Sequence, residues 1–164
     1  MPASYRMRSA LVLPFVILAL TLGLVTGGVV AAPEASAATR GEKARTAVKI
    51  VKRQLGDPYR YGATGPGAFD CSGLPYFAYR KAGFRHMPRT SDAQARFTKR
   101  LRKHNMRRGD LMFFHNGGDV YHVAVFVGWK DGRRLMIHSP RSGSRVKYAR
   151  PWTRSWFPGT LRWR

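Results

Sequence analysis

Residues 120–139 read VYHVAVFVGWKDGRRLMIHS, two runs rich in β-branched, aromatic and other apolar residues divided by a Lys-Asp-Gly turn signal. Such runs on either side of a short glycine-containing loop predict an antiparallel hairpin. In the first run His122, Ala124 and Phe126 fall on one face and Val123, Val125 and Val127 on the other. A polar His122 thus sits on a mostly buried strand, and His138 occupies the second strand. Whether the two histidines share a face depends on register, because a slip of one residue turns every side chain over. A three-residue loop, Lys130 to Gly132, pairs Trp129 with Arg133 and Ala124 with His138, and makes the histidines diagonal neighbours on one face. A four-residue loop sends His138 to the other face. We expect the three-residue loop; pairing of Trp129 with Arg134 without a compensating bulge would overturn it.

The runs LMFFH at 111–115 and SRVKYA at 144–149 have the same character and extend the hairpin into a strand meander. Before it, the period changes. Ala44, Ala47, Val48, Val51 and Leu55 recur at helical spacing, predicting an amphipathic helix over 42–55 that Gly56 and Pro58 stop. Residues 57–70, rich in Gly and Pro, read as a loop. Cys71, Leu74, Ala78 and Ala82 then share a helical face that ends at Gly83. Thr90 or Ser91 caps a short helix through about Phe97, and 99–108 reads as a solvated connection. Helices followed by strands predict an α+β domain with helices packed on one face of an antiparallel sheet.

At the N-terminus Arg6 and Arg8 precede an apolar run from Ala10 to about Val25, followed by small residues. That is the layout of a secretory signal peptide over residues 1–37, with cleavage expected before Ala38 and Ala32 as a second candidate. An uncleaved membrane anchor over Ala10 to Ala32 is the rival reading. The expected location is outside the cell or at its wall, with one catalytic domain over 38–164. Leaving out Arg6, Arg8 and Glu34, that part carries 28 basic and 7 acidic side chains, a net +21. The excess favours anionic surfaces such as wall polymers, acidic lipid head groups or nucleic acid, and does not distinguish among them. Its bland counterpart is solubility. Cys71 is the one cysteine, so a disulfide framework is excluded and an unpaired thiol in an exported chain needs a reason.

Cys71 lies where a glycine-rich loop meets a helix, and free N–H groups and the helix dipole there favour a thiolate. With a histidine base and a group that orients it, such a cysteine attacks carbonyls. Cys71 as nucleophile, His122 as base and His138 as orienting group fill those roles, and the Cys71 N–H is a candidate oxyanion donor. His86, His104 and His115 have no such pattern. Zinc is disfavoured because no close-spaced ligand pair exists. The GATGPG loop lacks the Lys-Ser or Lys-Thr of a phosphate cradle. No metal or cofactor is expected.

At these residues the sequence resembles the NlpC/P60 family of bacterial wall peptidases. The pieces occur in family order between about Ala44 and Trp163: Gly56-Asp-Pro-Tyr59, Tyr61-Gly62, Asp70-Cys-Ser-Gly-Leu74, Pro88-Arg-Thr-Ser91, Arg108-Gly-Asp-Leu111, His122-Val-Ala-Val and Ile137-His-Ser-Pro-Arg-Ser-Gly143. The resemblance implies a papain-like α+β fold and a Cys-His-His triad at Cys71, His122 and His138. It implies hydrolysis of peptidoglycan stem peptides, typically between D-γ-glutamyl and a diamino acid, often meso-diaminopimelate. By the same resemblance Tyr59, Asp70, Ser72 and Arg89 line the substrate cleft or hold the nucleophile loop. Expected partners are stem peptides and anionic wall polymers, with no specific nucleic acid, and the expected state is a monomer. The alternatives are an amidase or acyltransferase on the same fold, or a non-enzymatic cationic wall- or membrane-binding protein. Pro75, Ala63 and Ala124 depart from the usual family residues. Pro75, counted from an Asp70 cap, removes a helix hydrogen bond, so the helix is expected to start later or bend.

Overall fold

A computed structural model describes residues 38–162. The expected leader at 1–37 lies outside the described residues. Helix α1 spans Arg40–Arg53 and opens on a capping box: the Thr39 hydroxyl accepts from the Glu42 N–H, and Glu42 accepts from the Thr39 N–H. It begins and ends two residues before the expected bounds, so Leu55 lies past its end and is exposed. Helices α2 (Gly73–Lys81) and α3 (Ser91–Phe97) follow, the latter capped by Thr90.

The strands are β1 (Lys99–Arg100), β2 (Leu111–His115), β3 (Val120–Lys130), β4 (Arg133–His138), β5 (Lys147–Ala149) and β6 (Trp156–Thr160). They form one antiparallel sheet in the order β1-β6-β2-β3-β4-β5. Two parts of the sequence reading are corrected. The basic connection contains β1 and a 3-10 turn at Lys103–Asn105 rather than only solvated chain, and β6 crosses back to pair with β2, so the sheet is more than a meander.

The hairpin is the more instructive correction. Trp129 pairs with Arg134 and Lys130 with Arg133, so the loop is the two residues Asp131 and Gly132, both at positive φ (50° and 68°). That is the mirror-image turn that matches strand twist. Alone it would put His138 on the wrong face. A bulge at Val127, between the Phe126–Met136 and Gly128–Leu135 pairs, absorbs one residue. Beyond it Val125 pairs with Ile137, and the same register sets His138 opposite Ala124. The expected loop was wrong by one residue and the bulge restores the expected histidine register.

The sheet's two faces have different cover. Val123, Val125, Val127, Leu111, Phe113 and Ile137 form the main core with α1 and α2. Tyr79 of α2 is fully buried there, its hydroxyl donating to the Gly109 carbonyl at 2.6 Å. The opposite face carries a smaller cluster of Met112, Phe114, Ala124, Phe126, Met136 and Trp156. His122 shares that second face.

Candidate active site

The chain places Cys71 in a turn just ahead of α2, whose N-cap is Ser72. Pro75 is thereby the third residue of α2; Leu74 before it donates to the Asp70 carbonyl (3.2 Å) and Tyr76 after it to the Ser72 carbonyl (3.0 Å), so Pro75 leaves out the bond between them, to the Cys71 carbonyl. The later helix start anticipated from Pro75 is what the structure has. Asp70 holds the turn. Its Oδ1 accepts from the Gly73 N–H (2.6 Å), the Ser72 hydroxyl (3.3 Å) and Arg89 Nη1 (3.1 Å). Its Oδ2 accepts from the Gly62 N–H (2.9 Å) and from Arg89 Nη2. Burial opposes ionisation of Asp70, but these donors, Arg89 first, outweigh it and hold the carboxyl below its ordinary range. A side chain at Gly73 would come within 2.0 Å of the Ala63 carbonyl oxygen, so the turn closes only around glycine.

Four buried or half-buried side chains, none given this role in the sequence reading, fix the turn and the histidine strands in place. Gln94 of α3 donates from Nε2 to the Ser72 and Pro88 carbonyls, each at 2.9 Å. Ser139, directly after His138, donates to the Phe69 carbonyl at 2.7 Å and so ties the end of β4 to the residue before Asp70. At the start of α3, Ser91 Oγ donates to the Val120 carbonyl (2.7 Å) and Asp92 accepts from the Val120 N–H (3.0 Å), pinning β3 two residues before His122.

These ties set the Cys71 turn near β3, where the N–H of Val123, the residue after His122, favours the thiolate and works against the rise in the Cys71 pKa. His122 and His138 are both buried, and His122 Nε2 lies 2.9 Å from His138 Nδ1 with the rings nearly perpendicular at 88°. With Nε2 engaged, Nδ1 is the His122 nitrogen left for the thiol. Trp152, from the segment between β5 and β6, lies against both rings at 5.3 Å and 5.5 Å and stacks on Phe114 at 4.2 Å. Nothing in the polar run Arg150 to Ser155 signals that Trp152 returns to the histidines; only its size and isolation mark it.

The electrostatics differ from the thiolate expected at a helix start. Burial and the Asp70 carboxylate push the Cys71 thiol up, more than the Val123 and Ser72 groups pull it down. Burial likewise lowers His122 to about 3 and, with help from the Lys147 charge, His138 to about 4. At neutral pH the site rests as a neutral thiol beside neutral imidazoles. For Nδ1 of His122 to be a base, its proton must sit on Nε2 and be donated to His138 Nδ1; His138 then carries its own proton on Nε2, which is buried with no protein partner. The Cys71 N–H has no protein acceptor among the described residues and remains available to an oxyanion.

Of the other expected site residues, Asp70 and Ser72 are buried and bonded to each other and to Arg89, which is half-buried. Tyr59 is half-buried; burial first, then the Cys71 and Asp70 charges, raise its hydroxyl pKa, so it is a neutral donor beside the thiol. His86, His104 and His115 lie away from the pair in other surroundings.

Residues 56–164 match the family model described as NlpC/P60 family. The chain is 37% identical over 116 residues to a probable endopeptidase of Corynebacterium glutamicum, covering 71% of this chain and 52% of that protein. It is 35% identical over 108 residues to the murein DD-endopeptidase MepH of Escherichia coli, covering 63% of this chain and 38% of that protein. The chain thus spans about half or less of these relatives. Among solved structures, the NlpC/p60 domain of the peptidoglycan hydrolase SagA superposes with a TM-score of 0.64 at 26% identity, covering 72% of this chain and 98% of that one.

Proposed function

This chain belongs to the NlpC/P60 family, and we propose that it is an exported cysteine endopeptidase that cuts peptidoglycan stem peptides at the bond between D-γ-glutamyl and a diamino acid. The observation that carries the reading is the 2.9 Å bond from His122 Nε2 to His138 Nδ1, which leaves His122 Nδ1 without a protein partner among the described residues.

In this mechanism Cys71 Sγ attacks the γ-glutamyl carbonyl while its proton passes to His122 Nδ1. His138 accepts from His122 Nε2 and stabilises the imidazolium as it forms. The Cys71 N–H stabilises the oxyanion. The carbon–nitrogen bond then breaks, His122 delivers the proton to the departing amine, and a thioester remains on Cys71. Water, deprotonated by the same imidazole, hydrolyses the thioester and restores the thiol. Because thiol and imidazoles rest neutral, proton transfer accompanies attack rather than preceding it. The Tyr59 hydroxyl and the outer edge of Arg89 contact the acyl half, while Asp70 and Ser72 keep the nucleophile turn in place.

Residues 1–37 direct export, and the +21 excess holds the enzyme on anionic wall polymers. An exposed groove of Trp129, Arg133, Arg134 and Arg150 is one cationic, aromatic surface suited to that. Charge reversal there should weaken wall binding at low salt; unchanged binding would count against it.

The test is mass spectrometry of purified muropeptides digested by the protein, with Cys71→Ala beside it. New peptides ending at D-glutamate, absent from the variant digest, are expected. The E. coli relative bears a DD-endopeptidase name, so products cut at a D,D cross-link would move the reading to that bond. Release of whole stem peptides from sugar would make it an amidase, and no cleavage across several wall types would overturn the enzymatic reading.

A further inference from the structure

The histidine pair ends in a ring that no outer hydrogen bond orients. His138 faces His122 through Nδ1, but its Nε2 is buried and has no protein partner among the described residues. Which nitrogen of a neutral imidazole carries the proton is set by the hydrogen bond at the other one. At His138 that control is missing, and His122 depends on it: its Nδ1 is free to act as a base only while His138 Nδ1 stays an acceptor.

The pair is confined by shape instead. Phe114, the cross-strand neighbour of His122 on β2, flanks that ring at 5.7 Å. Trp152 stacks on Phe114 at 4.2 Å, 6° from parallel, and its ring lies 5.3 Å from His122 and 5.5 Å from His138. It is 52% exposed, whereas His122 and His138 behind it are 5% and 4% exposed. Half of the indole meets water and the other half keeps water from the histidine bond. Burial is the first cause of the low basicity of both imidazoles, and Trp152 supplies its outer part.

The indole is delivered by the fold, not by the histidines. Its segment is fixed by Lys103 Nζ donating to the Arg154 carbonyl (2.9 Å), by the His115 N–H donating to the Ser155 carbonyl (3.1 Å) and by an exposed ion pair of Arg150 with Asp131 (3.1 Å). Trp152 belongs to neither apolar core. Its removal therefore uncovers the pair and leaves the packing of helices and sheet in place.

We propose that Trp152 is a positioning residue for the histidines: by confining His138 and shutting out water, it keeps the single tautomer in which His122 Nε2 donates and His122 Nδ1 stays free. Water admitted here offers both imidazoles other donors and acceptors, so each ring then populates both tautomers. The inference rests on the Cys-His-His reading of the site and names the side chain that keeps its base ready.

Two readouts on the full-length chain test it. Long-range 1H–15N correlation spectra, assigned with His122→Gln and His138→Gln, report which nitrogen of each imidazole is protonated. In the wild type both rings should show one tautomer, protonated at Nε2 and bare at Nδ1. Trp152→Ala should show both tautomers at His122, and Trp152→Phe, which keeps a flat ring on Phe114, should restore the single one. Cleavage of muropeptides should follow: Trp152→Ala lowers kcat roughly tenfold, the worth of one ordinary hydrogen bond, with KM little changed, and Trp152→Phe recovers most of it. Mixed tautomers in the wild type overturn the inference without any variant. A single tautomer that survives Trp152→Ala overturns it too, as does a loss confined to KM, which would make Trp152 a substrate contact. A Trp152→Ala chain that fails to fold would make the residue structural and overturn it as well. Absence of cleavage by the wild-type chain removes the endopeptidase reading alone, and the tautomers then decide the role of Trp152.

Discussion

Replacing Asp70 with alanine should destabilise the domain by about 3 kcal/mol or more, because one carboxylate holds the nucleophile turn from several sides. It is 6% exposed and accepts from Gly73, Gly62, Ser72 and both Arg89 terminal nitrogens. Removing one member of a buried ion pair costs about 3–5 kcal/mol, since the survivor is left uncompensated. Arg89 keeps 32% of its side chain in water, which recovers part of that cost. The Gly73 and Gly62 N–H groups lose their acceptor as well, at about 1 kcal/mol or more each where water cannot reach them. Urea unfolding is the direct measurement, and for a domain of this size the melting temperature should drop by about 10 °C. Arg89→Met removes the same ion pair but leaves the backbone donors and Ser72 on Asp70, so it should cost less. The double variant should then be more stable than the sum of the two losses predicts, with a coupling of about 1.5–3 kcal/mol. A loss below about 1 kcal/mol for Asp70→Ala, or additivity within about 0.5 kcal/mol, would refute the account of the turn.

Alkylation of Cys71 by iodoacetamide should rise about tenfold per pH unit from pH 6 to 8, since the thiol is held above its ordinary value by burial and Asp70. A flat rate across that range would mean a preformed thiolate–imidazolium pair and would contradict the neutral resting state. Acid should unfold the protein partly through its histidines. Their folded values, about 3 and about 4, lie below 6.5, so under pH 6.5 the unfolded chain binds protons that the native one does not; this contribution to stability falls from about pH 6.5, less steeply below 4, and levels near 3. At pH 5 each histidine accounts for about 2 kcal/mol. Urea unfolding of His122→Gln at pH 7 and 5 should show a smaller loss than wild type by that amount, and equal losses would rule out the buried neutral pair. His138→Ala should lower kcat on the order of 10²–10⁴-fold by freeing the His122 tautomer, with KM little changed. A fall confined to KM would assign His138 to binding instead.

What could be read from the sequence was whatever a single element decides by itself. The amphipathic spacing of Ala44, Ala47, Val48 and Val51, the Thr90 cap and the alternation through Val123, Val125 and Val127 each express one local rule, and each appears in the fold. The features that were missed depend on two elements at once. Strand β6 contains Pro158 and Gly159, which argue against a strand until β2 is there to pair with it. Trp152 belongs to the site only because the chain between β5 and β6 returns to the histidines. The hairpin shows how such a dependence works. Asp131-Gly132 was itself a strong signal for a two-residue turn, and that turn alone would separate the histidines. Gly128, at φ 130° beside the bulged Val127, was the compensating signal, for a glycine inside a strand marks a bulge. Neither signal suffices alone. The turn sets a register that buries His138 among the valines, and the bulge shifts it by the one residue that brings His138 to His122. The 2.9 Å contact on which the proposed chemistry rests therefore depends on two deviations of opposite effect, eight or more residues along the chain from His122 in the turn and five in the bulge.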